Sequence, residues 1–539
     1  MSLPSRASQN EPADLARAIE EFLLEAPRAA LLEHGEVLFD FSAAAGESAA
    51  RYSISSDRGH CVLHVWSPER NLVRRVTAVD QPKGQAKHAL RLATIRLGQS
   101  KPTSLELVAD RAHRSPGAQK AERDSYLLRL QRTLERHFCD LTHLNFTNKT
   151  DLERSFGPAY ARGMQRRGRA AWACIGVSSA ETQAVIDGAL TIGILWLDHL
   201  RERYAADLSF SGLRVVAPPG SSQVIRMRAA HLTPMLRFEV LEFDERDNTL
   251  SPRDIFDRGN FATNLVHCVD PVRTLERYAA SISRVRELVP ELQPVVISAA
   301  EISLRYRGLQ FARIRSSYLN SRESSGNALH LSDEVLFGIG PAETTLDDTN
   351  LELFRDITAR LQERRGGAKP SQNAARDPLW RAQPERWLES AIVANITRID
   401  TSLDARYVYS QVPAFTASDR GVIDILSSTH SGRLAVLELK AEEDIHLPLQ
   451  GLDYWSRVRH HQQRGDFERF GYFAGKQLAP SHSHDSAPLL MLVAPALHIH
   501  PATDTLVRYF APEIDCTVVG IDERWRSVEG PRVVFRKRR

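Results

Sequence analysis

Two acidic residues and a lysine near residue 430 have types and a spacing that can support metal-assisted chemistry. Asp424 and Glu438 each lie seven residues from Ser431, within the turn sequence Thr429-His430-Ser431-Gly432. A simple hairpin through this turn places the two carboxylates opposite one another, with Cβ atoms ~4.5 to 5.5 Å apart. Because two carboxylates this close repel each other unless a cation or a shared proton separates them, the spacing predicts a divalent metal site.

The segments that carry the acidic pair are apolar on both faces, which is typical of central strands in a covered sheet. The apolar neighbours are Val422, Ile423, Ile425, Leu426, Leu434, Val436, Leu437 and Leu439. Burying charged side chains among them is costly unless they pair or bind metal. Mg²⁺ accepts one or two carboxylates together with water and phosphate oxygens, so we expect Asp424 and Glu438 to bind Mg²⁺ or Mn²⁺.

Lys440 lies two residues beyond Glu438, and side chains alternate along a strand, so both point to the same face. There its ammonium can orient or help to deprotonate a water aimed at phosphorus, or stabilise the developing negative charge. The three residues together predict hydrolysis of a phosphate ester.

Hydrophobic periodicity places this group in a regular order of elements. A helix opens at Pro384 and carries Glu389, and a second helix opens near Pro448 and carries Gln450. The predicted strands span residues 407–415, 421–426, 433–440, 489–494 and 516–521, with a helix between the last two. The predicted order is therefore α-β-β-β-α-β-α-β.

This arrangement resembles the PD-(D/E)xK, or restriction-endonuclease-like, nuclease superfamily. The text G-V-I-D-I-L, S-G-R-L-A-V-L-E-L-K and L-Q-G-L-D-Y-W is similar to the carboxy-terminal domain of NucS-type endonucleases. The resemblance covers roughly residues 384–522 and does not reach the first 360. It implies an αβββαβ core with a mixed central sheet.

The resemblance also implies roles for individual residues. Asp424 and Glu438 would ligate the catalytic Mg²⁺ with the backbone carbonyl of Leu439, and Lys440 would serve the nucleophilic water. Glu389 would complete the acidic cluster, by a water bridge or at a second metal. Gln450 would contact a substrate phosphate or position Lys440.

Two of these residues have an alternative interpretation, and one further position departs from the superfamily pattern. Glu389 can equally be a helix-surface residue paired with Arg386, three residues earlier. Gln450 can simply cap or solvate the first turn of its helix. Ile423 stands where the superfamily's name has proline, a position that varies widely.

The function implied by the resemblance is metal-dependent hydrolysis of phosphodiester bonds, with a DNA endonuclease favoured over an RNA enzyme by association only. The alternative is a catalytically silent or regulated protein that uses the nuclease fold to bind nucleic acid. Double-strand cleavage would favour a two-fold homodimer.

The rest of the 539-residue chain predicts a multidomain α/β and α+β protein. We divide it into an N-terminal α+β domain (residues 1–155), an α/β middle domain that recognises or regulates (156–365), a linker (366–383) and the nuclease-like domain (384–539). No internal repeat is evident. Ser178 and Glu181 resemble a capping box that opens a long helix.

Composition gives little further information about partners. A net charge of +3, from 70 basic and 67 acidic residues, means that any nucleic-acid surface must be local. The densest basic and aromatic stretch contains Arg162 and Trp172, and it could follow a nucleic-acid backbone or form a solvated helix face. The charged amino terminus and the absence of long apolar runs predict a cytoplasmic protein that does not enter membranes.

Overall fold

The computed structural model describes most of the chain. The described residues are 12–26, 29–33, 36–41, 50–56, 60–66, 71–80, 89–96, 102–109, 116–257, 263–319, 330–338, 343–366, 377–415, 421–480, 486–527 and 529–539. The chain forms two compact units, Met1–Glu122 and Arg123–Arg539. The boundaries predicted near residues 155 and 365 fall inside the second unit and stay predictions, and residues 367–376 of the predicted linker lie outside the described residues.

The described residues of the first unit include helix α1, an antiparallel sheet and the first residues of a second helix. Helix α1 spans Pro12–Glu25. The strands are β1 Ala30–Glu33, β2 Glu36–Asp40, β3 Arg51–Ser55, β4 Cys61–Trp66, β5 Asn71–Asp80, β6 Ala89–Arg96 and β7 Pro102–Val108. They lie in the order β2-β1-β7-β6-β5-β4-β3. The apolar stripe of α1, with Leu15, Ile19 and Phe22, packs on this sheet because those residues recur at helical spacing.

The second unit begins with a mixed sheet. Helix α2, Pro116–His137, runs across the unit boundary. The following elements are β8 Thr142–Thr147, β9 Tyr160–Arg167, β10 Ala170–Val177, α3 Gln183–Asp187, α4 Ala189–Arg203, β11 Ser209–Ala217, α5 Gln223–Ala229, β12 Arg237–Asp244 and β13 Thr249–Arg253. The sheet order is β13-β12-β11-β10-β9-β8, with β10, β11 and β12 parallel and the other neighbours antiparallel.

Two predictions for this region are wrong. One is the solvated-helix alternative for the stretch around Arg162 and Trp172, because that stretch forms the adjacent strands β9 and β10 and Arg162 is buried, while its binding of nucleic acid stays a prediction. The predicted capping box does not cap a helix: Ser178 donates to Glu245, and Glu181 pairs with Arg123. These long-range partners outcompete the local hydrogen bonds of a capping box.

A smaller antiparallel sheet follows in the chain. Its elements and their neighbours are β14 Asn264–Leu265, α6 Pro271–Arg277, α7 Ala279–Arg286, β15 Gln293–Ser298, β16 Glu301–Tyr306, β17 Leu309–Leu319, β18 His330–Phe337, β19 Thr344–Thr345 and α8 Leu351–Arg365. Strands β15 to β19 pair in sequence order. Helix α8 packs on them through Phe354 and Leu361.

The last part of the chain forms a second mixed sheet. Its elements are α9 Pro378–Arg381, α10 Pro384–Val393, α11 Ile396–Ile399, β20 Leu403–Phe415, β21 Val422–Thr429, β22 Leu434–Leu439, α12 Leu447–Arg464, α13 Asp466–Arg469, β23 Leu489–Pro495, α14 Thr503–Arg508, β24 Cys516–Ile521 and β25 Val533–Arg538. The sheet order is β14-β20-β21-β22-β23-β24-β25. Strands β22, β23 and β24 are parallel, and the other neighbours are antiparallel.

The described chain is thus a mixed α/β protein with several sheets, which confirms the predicted class in its coarse form. The predicted order of helices and strands after residue 384 is present, with short helices α11 and α13 and the edge strand β25 added. Among the described residues, no helix has the length and apolar character needed to cross a membrane.

Candidate active site

A tight hairpin positions the two predicted carboxylates. Strands β21 and β22 pair with Ile425 opposite Leu437, so the register places Asp424 opposite Glu438, as the spacing predicted. Gly432 closes the turn at φ +86°, a left-handed conformation that favours glycine. A Cβ at Gly432 would lie 2.3 Å from the carbonyl oxygen of Gln477, so the turn also needs the missing side chain.

Asp424 is tied to the neighbouring strand. The backbone N–H of Leu439 donates to its Oδ2 at 3.0 Å. Burial raises the pKa of Asp424, although this hydrogen bond and the charge of Lys440 oppose the rise. One carboxylate oxygen is therefore fixed by the protein, and the group is held beside Glu438.

Glu438 is the most enclosed acid of the group, with 3% of its surface exposed. Its Oε2 finds no hydrogen-bond partner among the described residues. Burial, and then the charge of Asp424, raise the pKa of Glu438 well above its usual value. Since buried polar atoms are nearly always satisfied, this orphan oxygen indicates a place for a cation or a ligand.

Lys440 faces several carboxylates at once. Its Nζ lies 3.9 Å from Glu438 Oε1, 3.9 Å from Glu385 Oε1 and 3.8 Å from Asp444 Oδ2. Burial alone would lower the pKa of Lys440, but these carboxylates, Glu438 foremost, raise it overall. The amine therefore stays charged at neutral pH, which favours stabilisation of negative charge over proton abstraction.

Glu389 joins the acidic pair through a residue that the sequence did not reveal. Glu389 is buried on α10 and accepts from Arg386 at 3.1 Å, so the pairing left open above is present. Gln411 Nε2 donates to Oε2 of Glu389, the oxygen that also accepts from Arg386, and lies 3.5 Å from Asp424 Oδ1. Gln411 sits at φ +54° in β20, an uncommon conformation for a non-glycine residue. That conformation turns the amide between the two acids.

The acidity of Glu389 gives a testable pH dependence of stability. Burial raises the pKa of Glu389 from 4.5 to about 7, with Asp424 adding to the rise. The folded state therefore holds a proton that the unfolded state releases, so stability falls as the pH rises from about 4.5 to about 7. At about 1.4 kcal/mol per pKa unit, the loss between pH 5 and pH 8 is about 2 to 3 kcal/mol.

We expect Glu389→Gln to remove this part of the pH dependence. Urea unfolding of the wild type and the variant, each in EDTA at pH 5 and pH 8, gives the difference between their free energies of unfolding at each pH. The change in that difference between the two pH values measures the contribution of Glu389. The wild type should lose about 2 to 3 kcal/mol relative to the variant between these values. Parallel stability profiles would show that Glu389 titrates normally.

Gln450 lies on the first turns of α12, close to the acidic pair. Its Oε1 is buried and has no partner in the described part of the chain, so its amide does not cap the helix. The neighbouring Gly451 lets α12 approach β22, since a Cβ there would lie 3.5 Å from Glu438 Cβ and 2.5 Å from Leu492. The helix thus presents Gln450 to the same space as Glu438.

Asp424, Glu438, Lys440 and Gln450 line one cavity of about 430 Å³, whereas Glu389 and Gln411 lie outside its lining. One wall is formed by Asp424, Glu438, Lys440, Gln450 and Tyr454. The opposite wall comes from residues 183–228 and includes Gln183, Asp187, Ser221, Gln223 and Arg228. This second wall could not be predicted from the sequence, because its residues follow strands with no recognisable motif.

The donor set fits a hard divalent cation. Within the described ranges, no three His, Cys, Asp or Glu side chains form a complete metal cage. Mg²⁺, however, needs only one or two protein carboxylates and keeps water or substrate oxygens for its remaining positions. The orphan oxygen of Glu438 beside Asp424 meets that requirement.

Comparison with protein-family models and with curated proteins gives no significant match to this chain. A function for the cavity must therefore be inferred from its geometry and chemistry.

Proposed function

We propose that residues 384–539 form a restriction-endonuclease-like domain that hydrolyses phosphodiester bonds with Mg²⁺ or Mn²⁺. The observation that carries the proposal is the orphan, buried carboxylate oxygen of Glu438, opposite Asp424 and beside the charged Lys440 in an open cavity. A stable protein tolerates a buried carboxylate oxygen without a hydrogen-bond partner when a bound cation satisfies that oxygen in the active protein.

The arrangement of elements supports the fold assignment. Helix α10, strands β20, β21 and β22, helix α12 and strand β23 follow one another as the αβββαβ core of this superfamily requires. The sheet is mixed, with antiparallel β20 to β22 and parallel β22 to β24. Asp424, Glu438 and Lys440 lie at the end of β21 and β22 that opens into the cavity.

Each residue has a task that follows from its surroundings. Asp424, Glu438 and the backbone carbonyl of Leu439 would hold the metal, which supplies Lewis acidity and a more acidic bound water. Lys440, charged and among carboxylates, stabilises negative charge that develops on the phosphate. Gln450 offers an amide to the substrate, and Gln411 and Glu389 hold Asp424 in place.

The alternative of a silent or regulated nucleic-acid-binding protein has one observation in its favour. Residues between 183 and 228 line the same cavity as the acidic pair, which gives this segment a position from which to restrict the access of substrate. A nuclease that is inhibited by this segment would show weak basal cleavage by the full chain.

The test is cleavage by the full chain of single-stranded, duplex, flap and mismatched DNA, and of RNA, with Mg²⁺, Mn²⁺ or EDTA. We expect cleavage of at least one DNA substrate that needs metal and disappears in Asp424→Asn. Binding without metal-dependent cleavage of any substrate would overturn the proposal in favour of the silent alternative.

A further inference from the structure

The second unit contains the same topology twice. Residues 123–253 run α2, β8, β9, β10, α4, β11, α5, β12 and β13, and residues 384–538 run α10, β20, β21, β22, α12, β23, α14, β24 and β25. In each, the first three strands are antiparallel neighbours, the third, fourth and fifth are parallel, and the last is antiparallel to the fifth. We call these the first copy and the second copy.

Two helix glycines fix the residue correspondence between the copies. A Cβ on Gly193 of α4 would lie 2.9 Å from Ile175 and 3.0 Å from Leu213. A Cβ on Gly451 of α12 would lie 3.5 Å from Glu438 Cβ and 3.2 Å from Leu490. Ile175 thus corresponds to Glu438. Strand pairing agrees with this correspondence. Ile175 lies two residues beyond the strand partner of Leu213, and Glu438 lies two residues beyond the strand partner of Leu490.

The copies pack around an internal two-fold axis. Helix α5 packs against α12 and helix α14 against α4, which is the reciprocal pattern of an isologous interface. Gly188 lies five residues before Gly193, and His446 lies five residues before Gly451. These two equivalent residues are in contact, since a Cβ on Gly188 would lie 2.8 Å from the imidazole of His446. Equivalent residues that touch each other mark a two-fold axis.

A second pair of equivalent segments meets in the same way. Leu232, just after α5, and Phe510, just after α14, form an antiparallel bridge. The N–H of Thr233 donates to Tyr509 at 2.8 Å, and the N–H of Ala511 donates to His231 at 2.9 Å. The reciprocal hydrogen bonds place the axis between Leu232 and Phe510.

The first copy lacks the catalytic groups at the matching positions. Arg162, opposite Ile175 in the ladder, corresponds to Asp424. Val177 corresponds to Lys440, because each lies two residues beyond the matched strand position, and Ile192 corresponds to Gln450, because each lies one residue before the matched glycine. Arg162 donates to the carbonyl of Gly157 at 3.0 Å and stacks on Phe156, so a cation of the protein occupies the position of the metal-binding acid.

The two clefts differ in charge accordingly. The cleft of the first copy, about 810 Å³, has four basic residues and two acids in its lining, with Lys149, Arg154, Arg162 and Arg203 against Asp151 and Glu202. The cavity at the acidic pair of the second copy is lined by residues of both copies and has five acids and two basic residues, with Asp187, Glu385, Asp424, Glu438 and Asp453 against Arg228 and Lys440. A phosphate can therefore bind the first cleft without a metal, whereas the second needs one.

We infer that the first copy holds a nucleic-acid strand without cutting it, and that each chain nicks one strand of a duplex per binding event. This rests on the proposed function of the second copy. A duplex fits because two-fold axes relate its antiparallel strands, as the internal axis relates the two copies. One of the two copies carries the proposed catalytic centre, so one phosphodiester bond is broken per binding event.

Supercoiled plasmid cleaved by the full chain with Mg²⁺ or Mn²⁺ provides the test of nicking. Open circles should accumulate first, and linear DNA should appear only after independent second nicks. Linear DNA that forms at the rate at which supercoiled DNA disappears would overturn the inference while leaving the proposed function intact. No cutting with any metal would overturn the proposed function and, with it, nicking.

Duplex binding in EDTA tests the first cleft apart from catalysis. We expect the double variant Lys149→Glu, Arg203→Glu to bind a labelled duplex at least 10-fold more weakly and with a shallower salt dependence, because each phosphate contact releases counterions. Arg273→Glu with Arg360→Glu, on exposed helix faces elsewhere, makes the same charge change and should bind like the wild type. Equal affinity of the two double variants would rule out strand binding by the first copy.

Discussion

Glu438→Gln is expected to lower the rate of phosphodiester cleavage by about 10³-fold, since removing one preorganised electrostatic group typically costs about 10² to 10³ in rate and here the metal is also weakened. The substitution keeps the shape of a side chain that is 3% exposed but removes the charge that would bind the cation. Single-turnover cleavage at saturating enzyme measures the effect. Glu468→Gln, an exposed change on α13 in the same domain, is the matched control and should retain the wild-type rate.

The same variant separates a metal ligand from a structural residue. Burial and the charge of Asp424 raise the pKa of Glu438, so this carboxyl group lowers the stability of the folded state in EDTA at pH 8, above its unfolded-state pKa. Glu438→Gln should therefore unfold at an equal or higher temperature than the wild type without metal. Mn²⁺ should raise the unfolding temperature of the wild type and leave that of the variant unchanged. Loss of stability in EDTA with a retained Mn²⁺ response would contradict the assigned role.

Lys440→Met should lower the cleavage rate by about 10²-fold or more without weakening metal binding. The ammonium lies within 3.9 Å of Glu438 and Glu385, so its removal increases the negative potential that attracts the cation. We therefore expect a lower maximal rate at an unchanged or smaller Mg²⁺ requirement, measured by titrating Mg²⁺ under single-turnover conditions.

Lys537→Met, which removes an exposed lysine from β25, controls for the loss of positive charge. It should leave both the maximal rate and the Mg²⁺ requirement unchanged. A Lys440→Met protein that regains the wild-type rate at high Mg²⁺ would show that Lys440 acts through metal affinity rather than on the phosphate.

The acidic hairpin could be predicted because its determinants are local. The turn at Gly432 and the two apolar strands that it joins fix the register, and the register alone places Asp424 opposite Glu438. Gln411 could not be predicted in this way. It reaches Glu389 and Asp424 from a point of β20 between Ser410, which pairs with Ile425, and Val412, which pairs with Ile423. There its backbone has φ +54°, a conformation that the residue type does not signal.

The repeated topology is invisible in the sequence for a physical reason. Both copies need apolar strands and a buried helix, and many apolar residues satisfy that need equally well. The residues that would make a repeat recognisable are those of the proposed catalytic site, and the first copy has Arg162 and Ile175 where the second has Asp424 and Glu438. The first copy therefore shares the strand and helix order of the second copy without the residues that form the motif.

The central claim is that the acidic pair of the second copy cuts phosphodiester bonds with a divalent metal. Its most direct test is the single-turnover rate of duplex cleavage by the full chain as Mg²⁺ is raised from zero, for the wild type beside Glu438→Gln. We predict no cleavage in EDTA, a wild-type rate that rises and saturates with Mg²⁺, and a variant that stays about 10³-fold slower. Cleavage in EDTA, or equal rates for the two proteins, would contradict it.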